Sequence, residues 1–277
     1  MTNGKESKRE SVREDINNAF FGSQASTGWH SVKSFYAEES RNRFALSGVT
    51  TKWFDCGLSY EAFKSSNEST TQLISVATQW IKNTYEFDWE EFDYDCDGYF
   101  DVFVLVYAAP DYNTTRSWSD TNLWAYCSWT MQKPNLEIPN VNEFMWASYD
   151  FMYGRNISRG KTGHDYGSGH TQITPIDTHT FIHEFGHLLG LSDYYDYSGQ
   201  YSPGGAFSMQ DNNVGAHDPF SKMALNWIEP YVPTETITLS IKPVEAEGDV
   251  ILLSPEYTGS TFDEYITIKA YNNYDRC

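Results

Sequence analysis

The chain lacks any apolar run long enough to cross a membrane. Its longest, Val102 to Ala109, falls far short of the roughly 20 residues that a spanning helix needs, so no transmembrane helix is expected. The start, Met1 to Arg13, is polar and charged and has no apolar stretch of the kind that forms a secretory signal. Cysteine is scarce. Cys56, Cys96, Cys127 and Cys277 stand far apart without a CxxC pair, which argues against a zinc ribbon and leaves any disulfide pairing open. Basic residues are few as well, 19 Lys and Arg against 38 Asp and Glu, for a formal charge of −19. A surface of that sign repels nucleic acid and anionic membranes, so neither is an expected partner.

What the sequence has in quantity is aromatic and apolar side chain. Aromatics make up 17% of its 277 residues and hydrophobic residues 40%, enough to bury a core and to exclude a disordered acidic chain. Met1 to Asp15 reads as a frayed, charged lead-in, followed by the aromatics Phe20, Phe21 and Trp29. Over Thr70 to Thr84, Leu73, Ala77, Trp80 and Ile81 recur at helical spacing. Val102 to Tyr107, within a segment starting at Phe100, is continuous, β-branched and aromatic, as in a strand covered on both faces, and Pro110 ends it. Residues 111–169 show no clean period and read as an irregular wall or lid. Thr236 to Lys242, Val250 to Leu253 and Tyr265 to Tyr271 carry strand signals. The expected fold is α/β or α+β, a twisted mixed sheet with one helix bearing the functional site and a C-terminal β segment.

That helix is Asp177 to Gly190. Asp177 or Thr178 can cap it, Phe181, Ile182, Phe185, Leu188 and Leu189 bury it, and Gly190 suits the left-handed residue that ends it. His183 and His187 lie one turn apart on the same face, so both imidazoles can reach one Zn²⁺ at about 2.0–2.1 Å. Glu184 sits beside the metal rather than on it, placed to take a proton from a water acidified by the ion and to deliver it to a leaving amine. This is the HExxH arrangement of zinc metallopeptidases. Gly190 and Asp193 extend it to HExxHxxGxxD, in which a glycine turn returns a third ligand, here Asp193 where longer zincin motifs carry His. Gly204 to Met209 is a candidate methionine turn beneath the metal. Asp218 and Pro219 open another helix, with Phe220, Met223, Ala224 and Trp227 on one face. Tyr194, Tyr195, Tyr197 and Tyr201 follow the motif closely, and any of them could assist an oxyanion. His164, His170, His179 and His217 have no ligand spacing and read as surface or hydrogen-bonding residues.

A second cluster, Asp93, Asp95, Asp97, Tyr99 and Asp101 around Gly98, follows the first positions of an EF-hand loop, with the backbone carbonyl at Tyr99. It points to Ca²⁺. Position 12 is Val104, so the bidentate Glu of a true EF-hand is absent. Cys96 occupies a non-ligand position and is expected to point outward. Asn67, Asn113 and Asn156 begin N-x-Ser/Thr sequons.

Together these segments resemble the immune inhibitor A family of secreted metallopeptidases. The family's HEFGHxLGLxDxYD corresponds to His183 to Asp196, with Ser192 where proline is usual, and its DxDxDGxxDxxxxxYA to Asp93 to Ala108. The Gly204 to Met209 turn also matches. Pro219 to Trp227 is similar to the family's SKxxLGW stretch, with Asn226 in place of glycine, and Glu264 to Lys269 to its EYFLxE strand. The resemblance runs from about Ser31 to the end. It implies a zincin-like catalytic domain over 31–232 after a lead-in over 1–30, and a C-terminal β segment over 233–277 that stops short of the family's usual extent. It further implies a secreted, monomeric zinc endopeptidase acting on protein or peptide substrates, with Zn²⁺ held by His183, His187 and Asp193, Glu184 as general base, and Ca²⁺ in the aspartate loop. The alternative is a non-catalytic, calcium-stabilised fragment of such an enzyme that acts as a binding module.

Overall fold

The computed structural model describes residues 3–59, 62, 70–109, 124–153, 164–165, 171–172, 176–201, 203–205, 208–260 and 263–270. Its centre is a three-stranded sheet of β1 (Val104–Tyr107), β2 (Tyr126–Trp129) and β3 (Glu143–Ser148), in the order β1-β3-β2. β3 runs parallel to β1, pairing Met145 with Val104, and antiparallel to β2, pairing Met145 with Cys127. Phe144, Met145, Trp146 and Ala147 are all buried, as a strand covered on both faces requires. Their alternation divides the core. Met145 and Ala147 pack with Phe181, Ile182 and Phe185 of the helix His179–Leu188, whereas Phe144 and Trp146 pack with Phe100, Phe103 and Ile74, the last from the helix Thr70–Thr84. In β1, Val104 and Val106 join the first group and Leu105 and Tyr107 the second. The sheet thus lies between helices, in a mixed α+β architecture.

The lead-in is not frayed. Asn3–Phe21 forms a helix whose Ile16, Ala19 and Phe20 enter the same core as the His179–Leu188 helix. Phe20 stacks on Phe181 with ring centroids 5.3 Å apart. Helical spacing of Val12, Ile16, Ala19 and Phe20 was present in the sequence, but the charge ahead of it hid the period. Next comes Val32–Glu39, opened by a capping box in which Ser31 and Ser34 bond each other's backbone N–H. The hydroxyl of its buried Tyr36 donates to the Ile182 carbonyl at 2.7 Å, tying this helix to the functional one.

Other expectations also change. β2 and β3 fall inside the stretch read as irregular, because a fully apolar run as short as Phe144 to Ala147 has no period to show. The strand expected over Val102 to Tyr107 contracts to Val104–Tyr107. Thr236 to Lys242 forms no strand, and its alternating Ile237 and Leu239 are exposed, so the pattern finds no sheet to join. The helix Pro219–Ala224 ends before Trp227; past its cap Leu225, Asn226 has a left-handed φ of 62°, which explains why glycine would suit that position. At the C-terminal side two strands, Val250–Leu253 and Ile266–Lys269, pair antiparallel beside a small core of Met223, Ile228, Val244, Val250 and Leu252. No helix among the described residues is long and apolar enough to cross a membrane.

Because Phe20 is buried against Phe181, Phe20→Ala should lower unfolding stability by about 3–5 kcal/mol. Chemical denaturation checks this, and a loss below about 1 kcal/mol would show that the N-terminal helix does not belong to the core.

Candidate metal centre

The site is built by one helix and the turn that follows it. Asp177 Oδ1 accepts the His179 N–H at 3.1 Å and lies 2.9 Å from the His179 ring, fixing the helix start. One turn apart, His183 and His187 point their rings together, with Nε2 atoms 3.2 Å apart. Gly190, at φ 89°, reverses the chain, and Leu191 N–H donates back to the Gly186 carbonyl at 3.0 Å. The reversal returns Asp193, whose Oδ1 stands 3.0 Å from His183 Nε2 and 3.3 Å from His187 Nε2. One ligand atom from each of the three residues lies within 4.8 Å of the others.

The far side of each imidazole decides its tautomer. His183 Nδ1 donates to the Met209 carbonyl at 2.8 Å and His187 Nδ1 to the Leu191 carbonyl at 2.7 Å. Both Nε2 lone pairs then face the Asp193 carboxylate, so three acceptors meet without a donor. Such a group needs a cation, a proton or a metal ion, between its members. In the metal-free protein that cation is a proton. Burial works to lower the pKa of His187, but hydrogen bonds to Asp193 and Leu191 and the charge of Glu184 carry it up to about 9. Asp193 moves the other way, because bonds from His183, His187 and Tyr197 outweigh burial and hold it well below the carboxylate range.

Glu184 follows His183 and is buried, and its Oε2 has no hydrogen-bond partner among the described residues. Burial raises its pKa to about 7, against the opposing pull of His183 and His187. Beneath the helix, Gly186 lets Gln210 pack close: a Cβ there would stand 2.5 Å from Gln210 Oε1 and displace the end of that side chain. Gln210 Nε2 in turn donates to the His183 carbonyl at 3.2 Å. Met209 is itself fully buried in the main core, but the part of it that touches the site is its carbonyl. Nothing in the sequence marks that contact.

Among the tyrosines, Tyr197 donates its hydroxyl to Asp193 Oδ2, and the Tyr195 ring lies 6.4 Å from that of His183. Tyr194 is turned away to Ser221 Oγ at 3.0 Å, and Tyr201 is exposed. His217 is not a surface residue, and it hydrogen-bonds through its backbone N–H to Glu39 rather than through its ring. It is buried beside Phe35, Tyr36 and Trp227, its ring nitrogens have no partner among the described residues, and burial pushes its pKa down to about 3. His179 does hydrogen-bond, but buried, stacked on Trp29 at 4.0 Å. The side chains of His164 and His170, the three sequons, Pro110 and Cys277 lie outside the described residues.

In the aspartate loop, Asp93, Asp95 and Asp101 converge, while Asp97 does not join them. Its Oδ1 instead accepts the Tyr99 N–H at 2.8 Å, and Tyr99 bridges to Asn140. Asp93 organises the turn by accepting from Asp97 N–H and Gly98 N–H, each at 2.9 Å. Gly98 has φ 85°, and a Cβ would approach the Asn135 nitrogen to 2.8 Å, so glycine is needed twice over. Burial, and after it the charges of Asp95, Asp93 and Asp97, push Asp101 up. Cys96 is exposed, as expected.

No known family model matches the chain, and no curated protein matches it.

The titrations give the metal-free protein a defined pH dependence. The raised acid pKa of Glu184 costs stability progressively between its ordinary value of 4.5 and about 7. The raised pKa of His187 adds stability that is complete below 6.5 and lost as pH climbs through about 9. The lowered pKa of His217 works the other way, adding stability as pH rises towards 6.5. Glu184→Gln should therefore gain stability relative to the wild type from about pH 4.5 to 7, and chelator-treated wild type should lose thermal stability from about pH 7 to 9. Thermal scans that rise with pH over that window would contradict the arrangement.

Proposed function

We propose that the chain is the catalytic domain of a zinc-dependent endopeptidase with a zincin-like fold, of the type seen in the immune inhibitor A family. The observation that carries this reading is the convergence of His183 Nε2, His187 Nε2 and Asp193 Oδ1 beside the unpartnered Glu184 Oε2. Two neutral imidazoles and one carboxylate suit zinc, whose catalytic sites use three such protein ligands and leave a position open. The orphaned carboxylate oxygen fits as well, since a buried acceptor without a donor implies a partner that arrives with the bound ion or the substrate. When bound, zinc supplies Lewis-acid polarisation of a carbonyl and lowers the pKa of water towards about 7.

The chain's own residues do the rest. His183 and His187 are held in the ligating tautomer by the Met209 and Leu191 carbonyls. Glu184 takes the proton of the attacking water at Oε2 and passes it to the leaving amine; a carboxyl titrating near neutrality suits both steps. Tyr195, whose ring lies near that of His183 and whose hydroxyl interacts with Asp193, would be the tyrosine that donates to a developing oxyanion. Asp93, Asp95 and Asp101 would hold Ca²⁺ at the sheet's edge, in an extracellular protein where that ion is abundant.

Glu184→Ala should retain one zinc per chain and lose casein hydrolysis by at least about 100-fold, the scale of general-base catalysis. Metal analysis paired with a fluorogenic casein assay tests this. Equal inertness of wild type and variant with zinc bound would reject the peptidase and leave a binding module.

A further inference from the structure

The register of the central sheet sets an acid and an indole side by side above the metal helix. Glu143 pairs with Trp129 across β2 and β3, and opposed residues on antiparallel strands share a face with Cβ atoms about 4.5–5.5 Å apart. Their neighbours two positions along identify that face: Met145 packs with Ile182 and Phe185, and Cys127 Sγ donates to the Glu184 carbonyl at 3.1 Å. Glu143 therefore projects towards the last turn of the helix, where it attracts His187 electrostatically. It is not one of the converging metal donors.

Unlike the buried Glu39 and Asp177, Glu143 has no hydrogen bond or ion pair among the described residues. Glu39 is met by Lys222 Nζ at 3.3 Å and by the His217 N–H at 2.6 Å, and Asp177 by His179. A partly buried acid at the head of a strand otherwise buried throughout is costly without a partner. Trp129, 65% exposed, has no ring contact among the described residues. A carboxylate beside a bare indole suits one ligand chemistry in particular, a cationic side chain, which gains a charge-assisted hydrogen bond from the first and a cation–π contact from the second. A neutral side chain gains neither.

We propose that Glu143 and Trp129 form a specificity subsite that selects a Lys or Arg side chain of the peptide next to the scissile bond. This rests on the peptidase reading for its orientation, so binding and cleavage are measured separately. Two matched peptides, one with lysine and one with norleucine at its centre, are titrated calorimetrically against zinc-loaded Glu184→Ala protein. The lysine peptide should bind about tenfold more tightly, a ratio equivalent to about 1.4 kcal/mol. Glu143→Gln, in the same background, should erase the difference without weakening the norleucine peptide, Glu143→Asp should restore part of it, and Trp129→Ala should reduce it. Equal affinities, absence of binding by both peptides, or an advantage that survives Glu143→Gln would overturn the subsite. A lysine preference in binding, with no cleavage by the wild type, would uphold the subsite and remove the peptidase reading instead.

Discussion

Three hydrogen-bond acceptors face one another at the end of a helix, and most of the molecule serves to keep them there. His183 Nε2, His187 Nε2 and Asp193 Oδ1 stand within 3.0–3.3 Å of each other. That meeting is unfavourable unless a cation joins it. The fold resists its natural tendency to relax in two ways. Each imidazole is tethered from behind through Nδ1 to a backbone carbonyl, and the aspartate is returned on a turn that only a left-handed residue at Gly190 allows.

The tethers depend on packing remote from the site. Met209, which supplies one carbonyl, is fixed because its side chain is buried with Phe181, Ile182 and Phe185. Tyr36 and Gln210 bond the Ile182 and His183 carbonyls from opposite elements, so the helix cannot rotate without losing both. Phe20 and Met145 close the same core from the N-terminal helix and from the central strand. A rigid base of this kind keeps the three acceptors together through contacts made outside the site.

How much of this the sequence could reveal depended on how local each contact was. His183, Glu184, His187, Gly190 and Asp193 lie within a few turns of chain, and helical spacing with one glycine reversal was enough to place them together. The helix Thr70–Thr84 and the strand Val250–Leu253 were likewise legible from their own periodicity. The Met209 carbonyl, the Tyr197 hydroxyl and the Glu143 carboxylate were not, since backbone acceptors leave no mark in a residue pattern and strand register is set by partners. The N-terminal helix hid behind a charged start, and β3 behind its brevity. Asp97, chosen from loop spacing alone, lies outside the converging group of Asp93, Asp95 and Asp101, and its Oδ1 accepts the Tyr99 N–H.

The central claim is the composition of the metal centre. X-ray absorption at the zinc K-edge, on protein loaded with one equivalent of zinc, reads it directly. The account predicts a first shell of nitrogen and oxygen scatterers at about 2.0–2.1 Å, with the outer-shell pattern of two imidazoles that falls to one in His187→Ala. A sulfur scatterer at about 2.3 Å, or a shell without imidazole, would contradict it.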